Sequence, residues 1–205
     1  GYTEYNYLDN FRNYIDNNLH VKYSDIVIEP INAEGNAMHV YNYAEEFLSI
    51  TENASKYLHY EKHLVFDCDA PENIQEVIAL MKDSENNYVL DYSNLLFETW
   101  LVMHFQNLDP DKDNSKRAII KLMRDYLGVN KYTKKMKASK GTIGKILGSN
   151  GNEKIRAAIE NGKLLEKHWI NTGKDVDKDI TQMNPAVDIY KLIERLLDEI
   201  VYLCG

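Results

Sequence analysis

Residues 63–92 read HLVFDCDAPENIQEVIALMKDSENNYVLDY, and this stretch decides the fold. HLVFD (63–67) and YVLDY (88–92) are short apolar runs of the kind that form buried parallel strands. Between them, Pro71 in a first-turn position and an apolar periodicity through Met81 predict a helix. The alternation of strand and helix predicts an α/β fold with a parallel sheet that carries helices on both faces.

Outside this unit the sequence is mostly helical. SDIVIEPI (24–31) predicts one further strand. Because a parallel α/β sheet ordinarily begins with a strand and this sequence begins with a helical pattern, either the sheet lacks its first strand or the sequence begins after it. The polar segment DPDKDN (109–114) predicts a boundary, with an α/β domain over residues 1–108 and an α-helical region over 109–205. Helices are predicted over residues 2–18, 39–57, 71–81, 95–108, 115–127, 152–169 and 185–203.

The composition excludes several classes of protein. The 205 residues include 24 basic and 32 acidic side chains, a net charge of −8, so any contact with nucleic acid must be local. Cys68 and Cys204 form no metal-ligand spacing, which argues against a disulfide framework or a zinc site and favours a reducing cytoplasm. No run reaches the roughly 18 apolar residues of a membrane span. We expect a cytoplasmic protein without a membrane partner, and leave open whether it forms a homo-oligomer.

Asp67 and Asp69 are the strongest candidates for chemistry. They follow a predicted buried strand at positions i and i+2, so both side chains point to the same side at the sheet edge where α/β folds bind ligands. Two carboxylates about 5 Å apart repel by roughly 3 kcal/mol at an effective dielectric of 20, which a divalent cation would reverse. Oxygen ligands of this kind favour Mg²⁺ or Mn²⁺. The alternative is a solvated turn in which Asp69 caps the next helix.

SNLLFETWLVMHF (93–105) follows the second strand and contains further candidates. Glu98 lies in an otherwise apolar helix, where an unpaired carboxylate is costly, so we expect it to be paired or to lie near the metal. His104 is about 1.7 turns away and faces a different side, which favours a structural role over a supporting one. Ser93 and Asn94 either support the site or cap the helix.

The segment KYTKKMKASKGTIGK (131–145) carries six lysines and no acid. In an acidic protein such a block predicts contact with a phosphate backbone, with Tyr132 available to stack on a base. A solvated loop is the alternative. The lysines that we expect to contact nucleic acid are Lys131, Lys134, Lys135, Lys137 and Lys140.

Four motifs resemble those of the RloB-like protein family. GYTEYNYL (1–8) is similar to the end of its EGxTExxYL motif, and VFDCD (65–69) to its VFDxD motif. SNLLFETWLVMHF (93–105) resembles SNPxFExWLLxHF, and the sequence NP (184–185) before LIERLLDE (192–199) resembles the C-terminal NP segment of the family. RloB-like proteins occur in bacterial restriction and phage-defence loci, commonly beside an AAA-type ATPase. The resemblance implies that such an ATPase is a partner of this protein.

The motif layout of this family is similar to that of Toprim nucleases of the OLD kind. The resemblance implies a Toprim-like domain in which Glu4 matches the second glutamate and Asp67 and Asp69 match the DxD, holding Mg²⁺ or Mn²⁺ for phosphodiester hydrolysis, with Glu98 assisting. The first glutamate of the family motif, with its strand, would immediately precede Gly1. Cys68 replaces a commonly basic residue, which alters the expected phosphate contact, and Leu95 replaces a proline.

Two other functions compete with a nuclease. LVFDCD (64–69) imitates the nucleophile motif of haloacid dehalogenase phosphatases, but Pro71 stands where that class has Thr or Val. No later pair of acids follows an apolar strand, which further disfavours a phosphatase. The second alternative is a catalytically degenerate Toprim-like interaction or sensor module. Without context, Glu4 needs no catalytic role, because a carboxylate in the first turn of a helix is favourable through the helix dipole alone.

Overall fold

The structure is a computed structural model that describes residues 1–18, 27–69, 73–148 and 151–204. It contains a three-stranded sheet with helices on both faces. The strands are β1 (Lys62–Asp67), β2 (Tyr88–Asn94) and β3 (Ala186–Val187). The helices are α1 (Tyr2–Asn18), α2 (Ala37–Ser49), α3 (Thr51–Lys56), α4 (Ile74–Asp83), α5 (Glu98–Met103), α6 (Lys116–Leu127), α7 (Lys134–Lys137), α8 (Lys140–Leu147), α9 (Gly151–Asn171), α10 (Val176–Asp179) and α11 (Ile189–Cys204).

The central parallel pair is confirmed. β1 and β2 run parallel, with Lys62 opposite Tyr88 and Asp67 opposite Ser93, and α4 lies between them in the sequence. The helix predicted over 185–203 begins only at Ile189, because residues 186–187 form β3 instead. β3 pairs antiparallel with the end of β2, where Val187 lies opposite Ser93. The result is a mixed sheet in the order β1-β2-β3, and the parallel strands β1 and β2 end at the same edge of the sheet.

The two faces of the sheet belong to different cores. Leu64 and Phe66 pack into a cluster with residues of α2 and α4, whereas Val65 packs against a larger cluster on the other side. This alternation follows from the two-residue period of a strand. The larger cluster draws buried residues from α1, α5, α6, α8, α9 and α11. Asp67 and Ser93 continue the alternation on the side of the larger cluster.

Several predicted boundaries differ from the structure. Residues 27–31 of the predicted strand are irregular, and residues 24–26 lie outside the described residues. The helix predicted over 39–57 is two helices, because Ile50 has extended backbone angles between α2 and α3. The helix predicted over 95–108 is shorter at both ends, because α5 begins at Glu98 and ends at Met103. Pro71 and the rest of 70–72 lie outside the described residues, and α4 begins at Ile74.

The division into residues 1–108 and 109–205 stays a prediction. Tyr7 and Phe11 of α1 share a core with Ile119 and Met123 of α6, so side chains from both predicted regions pack together. Among the residues that the structure describes, none of the helices combines the length and apolar character needed to cross a membrane.

Candidate active site

Asp67 and Asp69 lie at the carboxyl end of β1, as the sequence predicts. One oxygen of Asp67, Oδ1, is buried and has no hydrogen-bond partner. The Asp69 side chain is 43% exposed and its Oδ2 lies 2.8 Å from Lys116 Nζ. Cys68 between them is buried in the core of the opposite face, and burial raises the pKa of its thiol. The Cys68 side chain is therefore a packing residue of that core.

Glu4 and Glu98 complete an acidic cluster around Asp67. Burial raises the pKa of Asp67 well above its usual value, and the negative charges of Glu4, Glu98 and Asp69 raise it further. Glu4 lies in the first turn of α1 with 13% of its side chain exposed, and Glu98 opens α5 with 2% exposed. The four acidic residues selected from the sequence thus lie in one electrostatic neighbourhood, although they come from three separate elements.

Lys137 supplies a positive charge to this acidic cluster. Its Nζ lies 2.7 Å from Oε1 of Glu98, and 36% of its side chain is exposed. The contact is an ion pair rather than a hydrogen bond, since Oε1 accepts no hydrogen bond of acceptable geometry. The sequence predicts that Lys137 contacts nucleic acid, whereas in the structure its ammonium group lies against the buried carboxylate of Glu98.

Tyr132 is a site residue for which the sequence predicted a different role. Burial and the adjacent charge of Glu98 raise the pKa of its hydroxyl, with a smaller contribution from Glu4. The ammonium group of Lys137 lies 5.5 Å from the centre of its ring. The hydroxyl is buried, so Tyr132 closes one side of the acidic cluster with its polar end turned towards Glu98.

The three supporting residues have different positions. Ser93 lies opposite Asp67 in the register, and its buried Oγ has no hydrogen-bond partner. Asn94 is buried away from solvent, where its Nδ2 donates to the carbonyl oxygens of Ile180 and Met183 at 2.8 and 2.9 Å. His104 lies in the core beside Tyr7. Of the three, only Ser93 adjoins the acidic cluster.

The lysine-rich segment is largely helical, because it contains α7 and α8. Thr133 caps α7 by accepting a hydrogen bond from the backbone N–H of Met136. Lys140 pairs with the buried carboxylate of Asp9. Within the lysine-rich segment, the exposed side chains that form no ion pair with another described residue are those of Lys131, Lys134, Lys135 and Lys145. These lysines are available for an anionic partner.

The donor atoms of the cluster fit a hard divalent cation. They are carboxylate and hydroxyl oxygens, the ligands that Mg²⁺ and Mn²⁺ prefer. Oδ1 of Asp67 and Oγ of Ser93 are buried without partners, and buried polar atoms normally have one. Within the described ranges, however, no three His, Cys, Asp or Glu side chains are placed so that they could hold one metal ion together. The donors are therefore suitable, but they do not form a closed ligand set.

A groove of about 710 Å³ runs beside the cluster along β1. Its lining includes Glu4, residues 62–65 of β1 and the exposed apolar side chains of Val27, Ile31 and Tyr43. Among the described residues, no strand pairs with β1 on the edge away from β2. The groove thus joins an open strand edge to one member of the acidic cluster.

Comparison with known proteins identifies the family. The family model for RloB-like proteins matches residues 1–196, nearly the whole chain. No curated protein and no solved structure matches the sequence. The match includes Glu4, Asp67, Asp69 and Glu98, together with the lysine-rich segment. The chain belongs to the RloB-like protein family.

Proposed function

We propose that this RloB-like protein is a Toprim-type nuclease that uses Mg²⁺ or Mn²⁺ to hydrolyse phosphodiester bonds in DNA or RNA. The observation that carries the proposal is the convergence of Glu4, Asp67, Asp69 and Glu98 at the carboxyl end of a parallel strand pair. Open α/β sheets bind their ligands at this edge. The resemblance of the motifs to Toprim nucleases of the OLD kind supports the same assignment.

The electrostatics of the cluster support a divalent cation. Burying several carboxylates together is unfavourable unless their charges are compensated. Lys137 offsets the charge of Glu98 and Lys116 that of Asp69, whereas Oδ1 of Asp67 has no partner. When bound there, a divalent cation would neutralise the carboxylates, polarise a phosphate oxygen and lower the pKa of an attacking water.

The lysines provide the substrate side of the proposal. Lys131, Lys134 and Lys135 are exposed in the segment that carries Tyr132 and Lys137 to the acidic cluster. A phosphate backbone on this surface would therefore pass close to Asp67. Because the net charge is −8, we expect binding to depend on these few lysines and to weaken steeply with salt.

Family context extends the proposal to a role in anti-phage defence with an AAA-type ATPase as partner. Its support is the resemblance to RloB-like proteins, which occur in such loci.

A non-catalytic interaction module is the second candidate function. The observation in its favour is the groove beside β1, where none of the described strands pairs with the outer edge of β1 and the apolar residues Val27, Ile31 and Tyr43 are exposed. Proteins use such edges to bind an extended segment by strand addition. This function needs no metal, and so metal binding separates the two candidates.

The test is calorimetric titration of Mn²⁺ into the chain, into Asp67→Asn and into Asp111→Asn. Asp111 is exposed and lies outside the cluster, so its variant controls for the loss of one negative charge. We expect Mn²⁺ to bind the parent chain and Asp111→Asn equally, and Asp67→Asn at least about tenfold more weakly. Proteins that bind Mn²⁺ are then assayed on single-stranded DNA, duplex DNA and tRNA. Absence of Mn²⁺ binding, or binding that survives Asp67→Asn unchanged, would refute the metal site and favour the interaction module.

A further inference from the structure

The ion pair between Lys137 and Glu98 joins a partly exposed side chain to a buried one. Glu98 is held at the start of α5 with 2% of its side chain exposed, in a helix whose described residues are all buried. Lys137 lies on the four-residue helix α7 and keeps 36% of its side chain exposed. The Lys137 side chain can rotate so that its ammonium group moves into solvent, whereas the buried carboxylate of Glu98 cannot reach solvent.

Lys137 compensates the acidic cluster only in part. Its ion pair reaches Oε1 of Glu98, while Oδ1 of Asp67 and Oγ of Ser93 have no partner. One ammonium group carries a single charge, and the cluster contains Glu4, Asp67 and Asp69 in addition to Glu98. A cation with two charges gains more from this potential than Lys137 does.

We propose that Lys137 is the resident counter-ion of Glu98 and competes with the divalent cation for that carboxylate. Metal binding then requires the 2.7 Å ion pair to open, and Lys137 lowers the metal affinity of the site. This inference rests on the proposed function.

The test compares Lys137→Met with Lys121→Met. Met keeps the length and apolar stem of Lys but removes the charge. Lys121 is exposed on α6, so its variant reports the general effect of losing one positive charge. We expect Mn²⁺ to bind Lys137→Met at least about tenfold more tightly than the parent chain, and Lys121→Met with nearly unchanged affinity.

Thermal unfolding provides a readout that does not depend on activity. Without metal, Lys137→Met leaves Glu98 buried and unpaired, so its Tm should fall below that of the parent chain and recover when Mn²⁺ is added. Lys121→Met should show neither change. If Lys137→Met does not fold, Lys137→Arg is used: a bidentate Arg–carboxylate pair should weaken Mn²⁺ binding by at least about threefold.

The outcomes separate this inference from the proposed function. If the parent chain binds Mn²⁺ and Lys137→Met binds it equally or more weakly, competition by Lys137 is wrong and the metal site stands. If neither protein binds Mn²⁺, the proposed function fails and the competition fails with it. If the parent chain binds Mn²⁺, and Lys137→Met binds it more tightly while Lys121→Met does not, the result supports both the metal site and competition by Lys137.

Discussion

His104 makes the stability of this protein sensitive to acid. The side chain is buried, its Nδ1 lies 3.0 Å from the carbonyl oxygen of Trp100, and its Nε2 lies 3.0 Å from the hydroxyl of Tyr7. A carbonyl only accepts hydrogen bonds, so Nδ1 carries the proton and Nε2 accepts from the Tyr7 hydroxyl. The neutral ring therefore has both nitrogens paired. Burial lowers the pKa of His104 from 6.5 to about 4, and the nearby positive charge of Lys154 acts in the same direction.

The size and sign of the effect follow from this pKa. Between a pKa of 6.5 in the unfolded chain and about 4 in the folded protein, the difference corresponds to about 3 kcal/mol. A lowered pKa in the folded protein means that the unfolded chain takes up the proton first. The contribution of His104 to stability is present above pH 6.5, decreases as the pH falls, and is lost once the pH passes through about 4.

Urea unfolding of the parent chain and His104→Gln tests the prediction between about pH 7.5 and pH 4.5. Gln does not titrate, so the difference in unfolding free energy between the two proteins separates the effect of His104 from that of the other titratable groups. We expect this difference to decrease by about 2 to 3 kcal/mol over that range. His59→Gln, at an exposed position, is the control and should follow the parent chain. A difference that stays constant with pH would refute the reasoning.

Three further predictions concern two glycines in helices and the buried carboxyl group of Asp188. Gly162→Ala places a Cβ 2.5 Å from Cδ1 of Tyr190, so overpacking of about 1–3 kcal/mol should outweigh the roughly 1 kcal/mol gain in helix propensity and lower Tm. Gly144→Ala meets nothing within 4 Å in α8, and should raise the unfolding free energy by about 0.5–1 kcal/mol in the same urea assay. Burial, followed by the charge of Asp91, raises the pKa of Asp188 to about 8 from 3.8, so its carboxylate destabilises the fold as the pH rises from 3.8 to about 8. Asp188→Asn should therefore stabilise the protein by about 1 kcal/mol or more at pH 8, and the gain should disappear near pH 4.

The parallel pair was predictable because β1 and β2 are apolar runs separated by one amphipathic helix. β3 was not, since Ala186–Val187 is too short to show a period and its position is set by distant residues. Asn94 Nδ2 donates hydrogen bonds to the carbonyl oxygens of Ile180 and Met183. Trp169 Nε1 donates a hydrogen bond to the carbonyl oxygen of Pro185 at 2.8 Å. Such contacts leave no local pattern in the sequence.

The acidic part of the site was more predictable than its partners. Asp67 and Asp69 follow from their place at a strand end, and Glu98 from the cost of a carboxylate in an apolar helix. The positions of Tyr132 and Lys137 beside Glu98 could not be read from the sequence, because they depend on how α7 packs in three dimensions. A lysine that pairs with a buried acid looks the same in sequence as one that faces solvent, so the sequence predicts the same role for Lys137 as for Lys134 and Lys135.

Three ion pairs connect the predicted regions across the candidate site. Asp69 pairs with Lys116, Glu98 with Lys137 and Asp9 with Lys140, and in each pair the acid lies before residue 108 and the lysine after it. The lysine side chains are 52%, 36% and 60% exposed. Asp69 and Lys116 are both exposed, so their ion pair is weak and screened by salt, and Lys116 can exchange its carboxylate for another anion at small cost. Glu98 and Asp9 are only 2% and 5% exposed, so opening their ion pairs is favourable only when another cation neutralises the buried carboxylate. A phosphate backbone is an anion that can bind these lysines. The carboxylates would then lose their positive partners, and a divalent cation could neutralise them instead. On this reasoning nucleic acid and metal should favour each other's binding, and Mn²⁺ affinity measured with and without a short single-stranded DNA would show whether they do.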